Sequence, residues 1–321
     1  MTTLMLSRVA DSLYWMSRYL ERAENTARQA NVTLLQSLDA AEGIGAPLRL
    51  ERLLHSLDLQ DTLKNVKSLE EEILLKRLTF DAAFPSSVNG CLTTARENAR
   101  QVREQISSEM WMQINRLYLY VHQANPAAVW NDLPHNFYVN VKEGSHLFQG
   151  ITDATMNHNA GWHFIQIGRY TERLILLASL LDAHLHLDAA TQPRSYFEMV
   201  ATLKSVSAFE AYCKVYTSSM QPENIAEFLL FNPEFPRSAR FCTQMILNSL
   251  EVLAENLPRG KAQRLNRFAG RLESMLSYDD IQDVRSAQSS VYLHNLRDQA
   301  FHIHEALFDT YVTYSIESAL A

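Results

Sequence analysis

Apolar residues recur at three- and four-residue steps from the start of the chain. Leu6, Val9, Leu13, Met16, Leu20, Ala23, Ala27 and Leu34 form one stripe, which predicts a helix over residues 5–38. Gly43, Gly45 and Pro47 end it, and shorter helices are predicted at 48–57 and 61–77. Pro85, Ser86 and Ser87 make a capping turn for a helix over 88–106. Ser107, Ser108 and Glu109 open another that runs to His122 and stops at Asn125-Pro126, and Pro134 opens a third that reaches Gly150. Beyond these, helices are predicted at 195–217, 222–230, 238–257, 261–276 and 284–316, with Pro222, Pro233, Pro236 and Pro258 at the joints. The segment 155–187 differs from the rest, because Leu174, Ile175, Leu176, Leu177, Leu180 and Leu181 point in every direction around the axis. A helix apolar all round belongs in the middle of a fold.

Composition strengthens the helical reading. Nine Gly and nine Pro in 321 residues are few breakers, and 47% hydrophobic residues can fill a large core, so the chain reads as an all-α, large multi-helix bundle. It is read as a single helical domain over 1–321, with a recurring pattern that also suits two related halves, 1–150 and 151–321. A net charge of -7 argues against a general nucleic-acid binder, which needs a concentrated cationic surface. The first ten residues lack a secretory pattern and no apolar run there is long enough for a bilayer, so the expectation is a cytoplasmic protein without a membrane partner. Cys91, Cys213 and Cys242 are odd in number and far apart, as reduced thiols are, and no zinc spacing is present.

The candidate chemistry lies in a repeated pattern. Arg18-Tyr19-Leu20-Glu21-Arg22 and Arg169-Tyr170-Thr171-Glu172-Arg173 each follow a tryptophan, Trp15 or Trp162, and each falls on a long predicted helix. Trp15, Arg18, Tyr19 and Arg22 span an arc of about 100° away from the apolar stripe, a cationic and aromatic strip suited to a carboxylate, a phosphate or another protein. The second copy leads into the strongly apolar face, which favours burial, and a buried arginine needs a carboxylate partner; Glu21, Glu24 and Glu172 are the candidates. The segment Ala23-Glu24-Asn25-Thr26-Ala27-Arg28 is echoed by Ala95-Arg96-Glu97-Asn98-Ala99-Arg100, which extends the expected network to four arginine-glutamate segments meeting in one core. Two readings of these residues stand side by side, a structural ion-pair network and a ligand or partner site.

Taken together, Met5-Leu6-Ser7-Arg8, Leu13-Tyr14-Trp15 and Arg18 to Asn25 resemble the alpha-E domain family of bacterial helical proteins, named for its Glu-Arg motif. Ala95 to Arg100, Ile106 to Trp111, Thr155-Met156, Gly161-Trp162, Gly168-Arg169, Glu172-Arg173, Asn232-Pro233 and Phe235 to Ser238 extend the likeness over nearly the whole chain. The resemblance implies an all-α fold and a role beside two partners, an ATP-grasp ligase and a transglutaminase-like protein, in systems that make or modify peptides through amide bonds. It implies no cofactor of the chain's own. Partner or ligand contacts are accordingly expected at Trp15, Arg18, Glu21, Arg22, Glu24, Arg28, Arg96, Glu97, Arg100, Trp162, Arg169, Glu172 and Arg173.

Enzymatic readings are weaker on the residues alone. No glycine-rich phosphate loop is present, so ATP chemistry is placed in a partner. Cys91 follows Gly90 at a predicted helix start, yet no His is fixed beside it. His294, Asp298, His302, Glu305 and Asp309 share one side of the last helix, and Glu143 to His146 is a lone Glu-x-x-His spacing, short of the two that a di-iron bundle uses. The leading expectation is therefore a non-catalytic accessory or scaffold protein. Its alternative is an enzyme acting on peptide or amide bonds, with Glu21 or Glu172 as acid or base.

Overall fold

The computed structural model describes residues 7–38, 45–59, 70–84, 86–185, 195–217, 219–255, 257 and 259–312. Among these the chain forms fifteen helices and no strand, an all-α fold. They are α1 Ser7–Leu38, α2 Ala46–Ser56, α3 Glu71–Phe80, α4 Val88–Gln101, α5 Ser108–His122, α6 Pro126–Asn131, α7 Pro134–Thr155, α8 Ala160–His184, α9 Tyr196–Lys204, α10 Phe209–Tyr216, α11 Pro222–Phe231, α12 Ala239–Ala254, α13 Arg259–Tyr278, α14 Ile281–Ser286 and α15 Ser289–Tyr311.

Side-chain caps set most of the helix starts that the sequence marks. Ser87 accepts from the Gly90 amide, Ser107 from Met110, Asn159 from Gly161 and Trp162, Ser195 from Glu198 and Ser238 from Phe241. Asn125, read as a helix stop, also caps the single turn α6. Three predicted helices are shorter or split. The helix from Val88 ends at Gln101, because residues 102–106 turn towards the Ser107 cap. The stretch 195–217 divides into α9 and α10, and Ser207 between them has φ 52. The stretch from 284 divides at Gln288, with φ 64. A polar side chain at these left-handed positions gives no signal as plain as glycine would. In the other direction, α7 runs past Gly150 to Thr155, since nothing meets a side chain there and one glycine in a long helix is tolerated. The predicted start at residue 61 lies outside the described residues; the described helix there is α3.

Two four-helix rings organise the core. In the first, α1 packs on α4 and α7, α4 on α5, and α5 on α7; in the second, α8 packs on α12 and α15, α12 on α13, and α13 on α15. The first helices of the two rings, α1 and α8, pack on each other, and the buried apolar residues of both rings form one continuous cluster. This position explains the all-round apolar character of α8: every residue from His163 to Ala183 is buried. The shorter helices cover the rings, α2 against α8 and α1, and α3 against α4 and α1. Among the described residues no helix is long and apolar enough to cross a membrane.

Candidate functional site

Glycines let the two central helices come close. A Cβ at Gly168 would stand 2.4 Å from the Tyr14 carbonyl oxygen, and one at Gly161 would stand 3.1 Å from Leu13 Cδ1. Contacts advance together along both helices from this crossing, from Leu13–Gly161 and Tyr14–Gly168 to Arg18–Glu172 and Glu21–Arg173, so α1 and α8 run in the same direction and bring their Glu-Arg dipeptides level. The glutamate of each dipeptide then meets the arginine of the other. Arg22 donates through Nε and Nη2 to Glu172 at 2.6 and 3.2 Å, and Arg173 donates through Nε and Nη2 to Glu21 at 2.7 and 3.0 Å. Arg18 Nε adds a bond to Glu172 at 2.7 Å, while Arg237 Nη1 and Gln149 Nε2 add bonds to Glu21 at 3.0 and 3.1 Å. Two-pronged, charge-assisted contacts of this kind are the strong ones in proteins.

Both carboxylates are almost fully buried, at 2% and 1% exposure, so their protonation decides what they can do. Burial alone would push the Glu21 carboxyl up, but the guanidiniums of Arg173 and Arg237 outweigh it and hold the group well below the carboxylate range. For Glu172 burial is likewise overcome, by Arg18 and Arg22. A carboxylate locked in this way neither takes nor gives a proton near neutral pH, which opposes the acid-base role. The buried Cys91 and Cys242 thiols, beside Arg22 and Arg173 respectively, are pushed up to about 12 by burial and stay protonated.

The first copy of the motif does not form an open strip. Arg18 is 3% exposed, and α15 covers this side: Tyr14 stacks on His304 with ring centroids 5.4 Å apart, and Trp15 meets Phe308 edge-on. Arg18 Nη1 donates to the Tyr14 hydroxyl at 3.3 Å, and that hydroxyl lies 2.9 Å from His304 Nδ1. On the second copy, Arg169 is buried and lies 3.8 Å from Asp153, which also accepts from the Trp162 indole N–H at 3.2 Å. Trp162 in turn stacks on His158. Glu24 and Arg28 do join the core, where they pair with each other.

The fourth segment goes elsewhere. Arg96 bonds Asn115 and lies over Tyr118 and Trp111, Glu97 is half-buried and pairs with Arg100, and Arg100 is exposed on the α4 surface. Only the Ala95 and Ala99 positions of that stretch face the core, so the echo of Glu24 to Arg28 holds for its small residues and not for its charges. On α15, Asp309 pairs with Arg264 and His302 stacks on Phe268. Among the described residues no group of three or more His, Cys, Asp or Glu could hold a metal ion.

Gln149 and His304 were not singled out by sequence, and Tyr14 and Arg237 stood there only inside the family-like segments, with no partner assigned. A separate spacing relates the residues around the two dipeptides. Glu172 and Arg173 stand 151 positions after Glu21 and Arg22, as Cys242 does after Cys91, and as Phe235-Pro236 and the capping Ser238 do after Phe84-Pro85 and the capping Ser87. The starts of α12 and α13 follow those of α4 and α5 by the same interval.

A family described as a predicted alpha-helical domain with a conserved ER motif, Alpha-E, matches residues 5–312. The chain belongs to the Alpha-E family. In this Alpha-E chain the Glu-Arg dipeptides 21–22 and 172–173 are each other's ion-pair partners. Similar curated proteins are an uncharacterised protein of Mycobacterium bovis, 26% identical over 277 residues, and one of Mycobacterium tuberculosis strain H37Rv, 25% identical over the same length. Each match covers 80% of this chain but 31% of the relative, so the chain spans about a third of the length of the curated relatives it matches. No solved structure matches.

A pH dependence follows from the network. Burial and nearby arginines, Arg237 and Arg28 for His146 and Arg18 for His304, lower both imidazoles to about 4. Between their ordinary value of about 6.5 and that point the unfolded chain binds protons that the folded chain refuses, so stability falls as pH drops. The depressed Glu21 and Glu172 act in the same sense at lower pH, since their contribution is full above about 4.3 and is lost below it. Urea midpoints should therefore decline steadily from pH 7 to pH 4; a flat profile over that range would contradict the assignment.

Proposed function

We propose that this Alpha-E chain is a non-catalytic accessory protein that docks an ATP-grasp amide ligase and a transglutaminase-like protein engaged in peptide synthesis or modification. The observation that carries the reading is the mutual ion pairing of the two Glu-Arg dipeptides. It consumes the residues that an acid-base mechanism would need and turns them into a joint between two helical rings. The identity of the partners rests on the family resemblance.

Two surfaces of the rings suit such partners. One is the α4–α5 face, where Arg96 stacks over Trp111 and Tyr118 and is flanked by Glu97 and the exposed Arg100; the other is the Trp162–His158 stack. Cations over aromatic rings are frequent anchors at protein interfaces. Capture of the ligase by Arg96→Ala and Arg100→Glu proteins should fall about tenfold or more, with melting temperatures close to wild type. Turnover of a peptide by the purified protein alone, abolished in a folded Glu172→Gln variant, would overturn the accessory reading.

A further inference from the structure

The 151-position correspondence separates two kinds of charge in the core. Glu21, Arg22, Glu172 and Arg173 have counterparts in the other ring and satisfy one another. Glu24, Arg28 and Arg237 have none: the corresponding positions are Ile175, Ser179 and Ser86. These added charges gather on one side of α1, facing α7. Arg237 donates to Glu21 and Glu24 at 3.0 and 3.1 Å, and His146 Nε2 on α7 lies 3.4 Å from Glu24. Arg28 is 1% exposed and uses Nη2 on Glu24, but its Nε and Nη1 are buried without a hydrogen-bond partner. Leaving charged donors unmet in a protein interior is costly, and native structures rarely do so without a purpose.

The contacts Gln149–Glu21, His146–Glu24 and His135–Asn31 run in opposite senses along α7 and α1, which sets Lys142, one turn before His146, level with Arg28. Lys142 is half-buried and makes no ion pair among the described residues, and burial and the Arg28 charge lower its pKa against the opposing effect of Glu143. The side of the core around Arg28 thus sets Arg28, Arg173, Arg237 and Lys142 against Glu21, Glu24 and the exposed Glu143. His146 is half-exposed at the rim, so this excess of cations reaches solvent along the α1–α7 seam.

We propose that Arg28, Lys142 and His146 form a binding site for a small oxyanion, a carboxylate or a phosphate, entered along the α1–α7 seam. The anion accepts from the unmet Arg28 donors and from the Lys142 ammonium, and His146 closes the rim. It supplies the negative charge that the added arginines lack, and the four-residue network of the motif is left untouched. The site does not depend on the docking reading above.

The test is thermal melting of the full chain in inorganic phosphate or acetate, with chloride keeping ionic strength constant. A saturable rise of a few degrees is expected in one of the two, with phosphate and acetate distinguishing the source of the anion. The rise should vanish in Arg28→Met and its midpoint should move at least about tenfold in Lys142→Met, a half-buried position whose loss leaves the fold intact. If Arg28→Met fails to fold, Lys142→Met decides. A rise no greater than chloride gives, or one that Lys142→Met retains with an unchanged midpoint, would overturn the proposal and leave solvent as the partner of Arg28.

Discussion

Replacing Glu172 by alanine is expected to destabilise the protein by about 3–5 kcal/mol, the usual cost of stranding a buried charge. Two guanidiniums lose their carboxylate at once, since Arg18 and Arg22 both donate to it, and Arg18 is 3% exposed and cannot turn to water. Urea unfolding checks the value. Glu97→Ala, which removes only a solvent-accessible pair with Arg100 on α4, should stay within about 0.5 kcal/mol of wild type in the same assay. Exchanging Arg18, Arg22 and Glu172 together for Met, Met and Leu should recover much of the loss, because apolar residues of similar volume carry no desolvation cost. Recovery would separate the role of the network in stability from any role in catalysis.

Gly168→Ala is expected to cost more than an ordinary glycine-to-alanine exchange in a helix, and with the opposite sign. In an open helix that exchange stabilises by up to about 1 kcal/mol. At Gly168 the added Cβ would lie 2.4 Å from the Tyr14 carbonyl oxygen, and backbone cannot swing aside as a side-chain end can. Parting α1 and α8 to make room lengthens the Glu21–Arg173 and Glu172–Arg22 contacts, so the overpacking cost of about 1–3 kcal/mol is compounded by weakened ion pairs. Gly150→Ala, where nothing lies within 4 Å, serves as the control and should be neutral or stabilising. Calorimetric melts of the two variants read the difference directly.

Much of the architecture could be read from apolar spacing and cap residues, because both are local. The Ser87, Ser107 and Ser238 caps fall at or beside the marked starts, and the leucine-rich segment that points in all directions is the buried α8, although it starts at Ala160 behind the Asn159 cap and not at residue 155. Breaks at Ser207 and Gln288 were not legible, since each is a left-handed residue of a type that also sits inside helices. The burial of the second Glu-Arg pair and its need for carboxylate partners followed from its apolar surroundings. What periodicity could not supply was which partner each residue takes. A helical wheel placed Trp15, Arg18 and Arg22 away from the stripe of α1, but a long central helix has neighbours on several sides, and α8 and α15 occupy the side that looked open. The role of Arg237 was not legible for a related reason: it lies in the family-like segment before the cap of α12, far along the chain, and only tertiary packing sets it against Glu21. The 151-position interval was the one sequence signal that tied Cys91 to Cys242 and Ser87 to Ser238.

The account turns on the claim that the two Glu-Arg dipeptides are each other's partners and act as a joint. A double-mutant cycle on Arg22→Met and Glu172→Leu, read by urea unfolding, tests it most directly. The claim predicts that the double mutant is more stable than the two single losses would give, by at least about 1 kcal/mol. Additivity within about 0.3–0.5 kcal/mol, the behaviour of residues that do not touch, would contradict it.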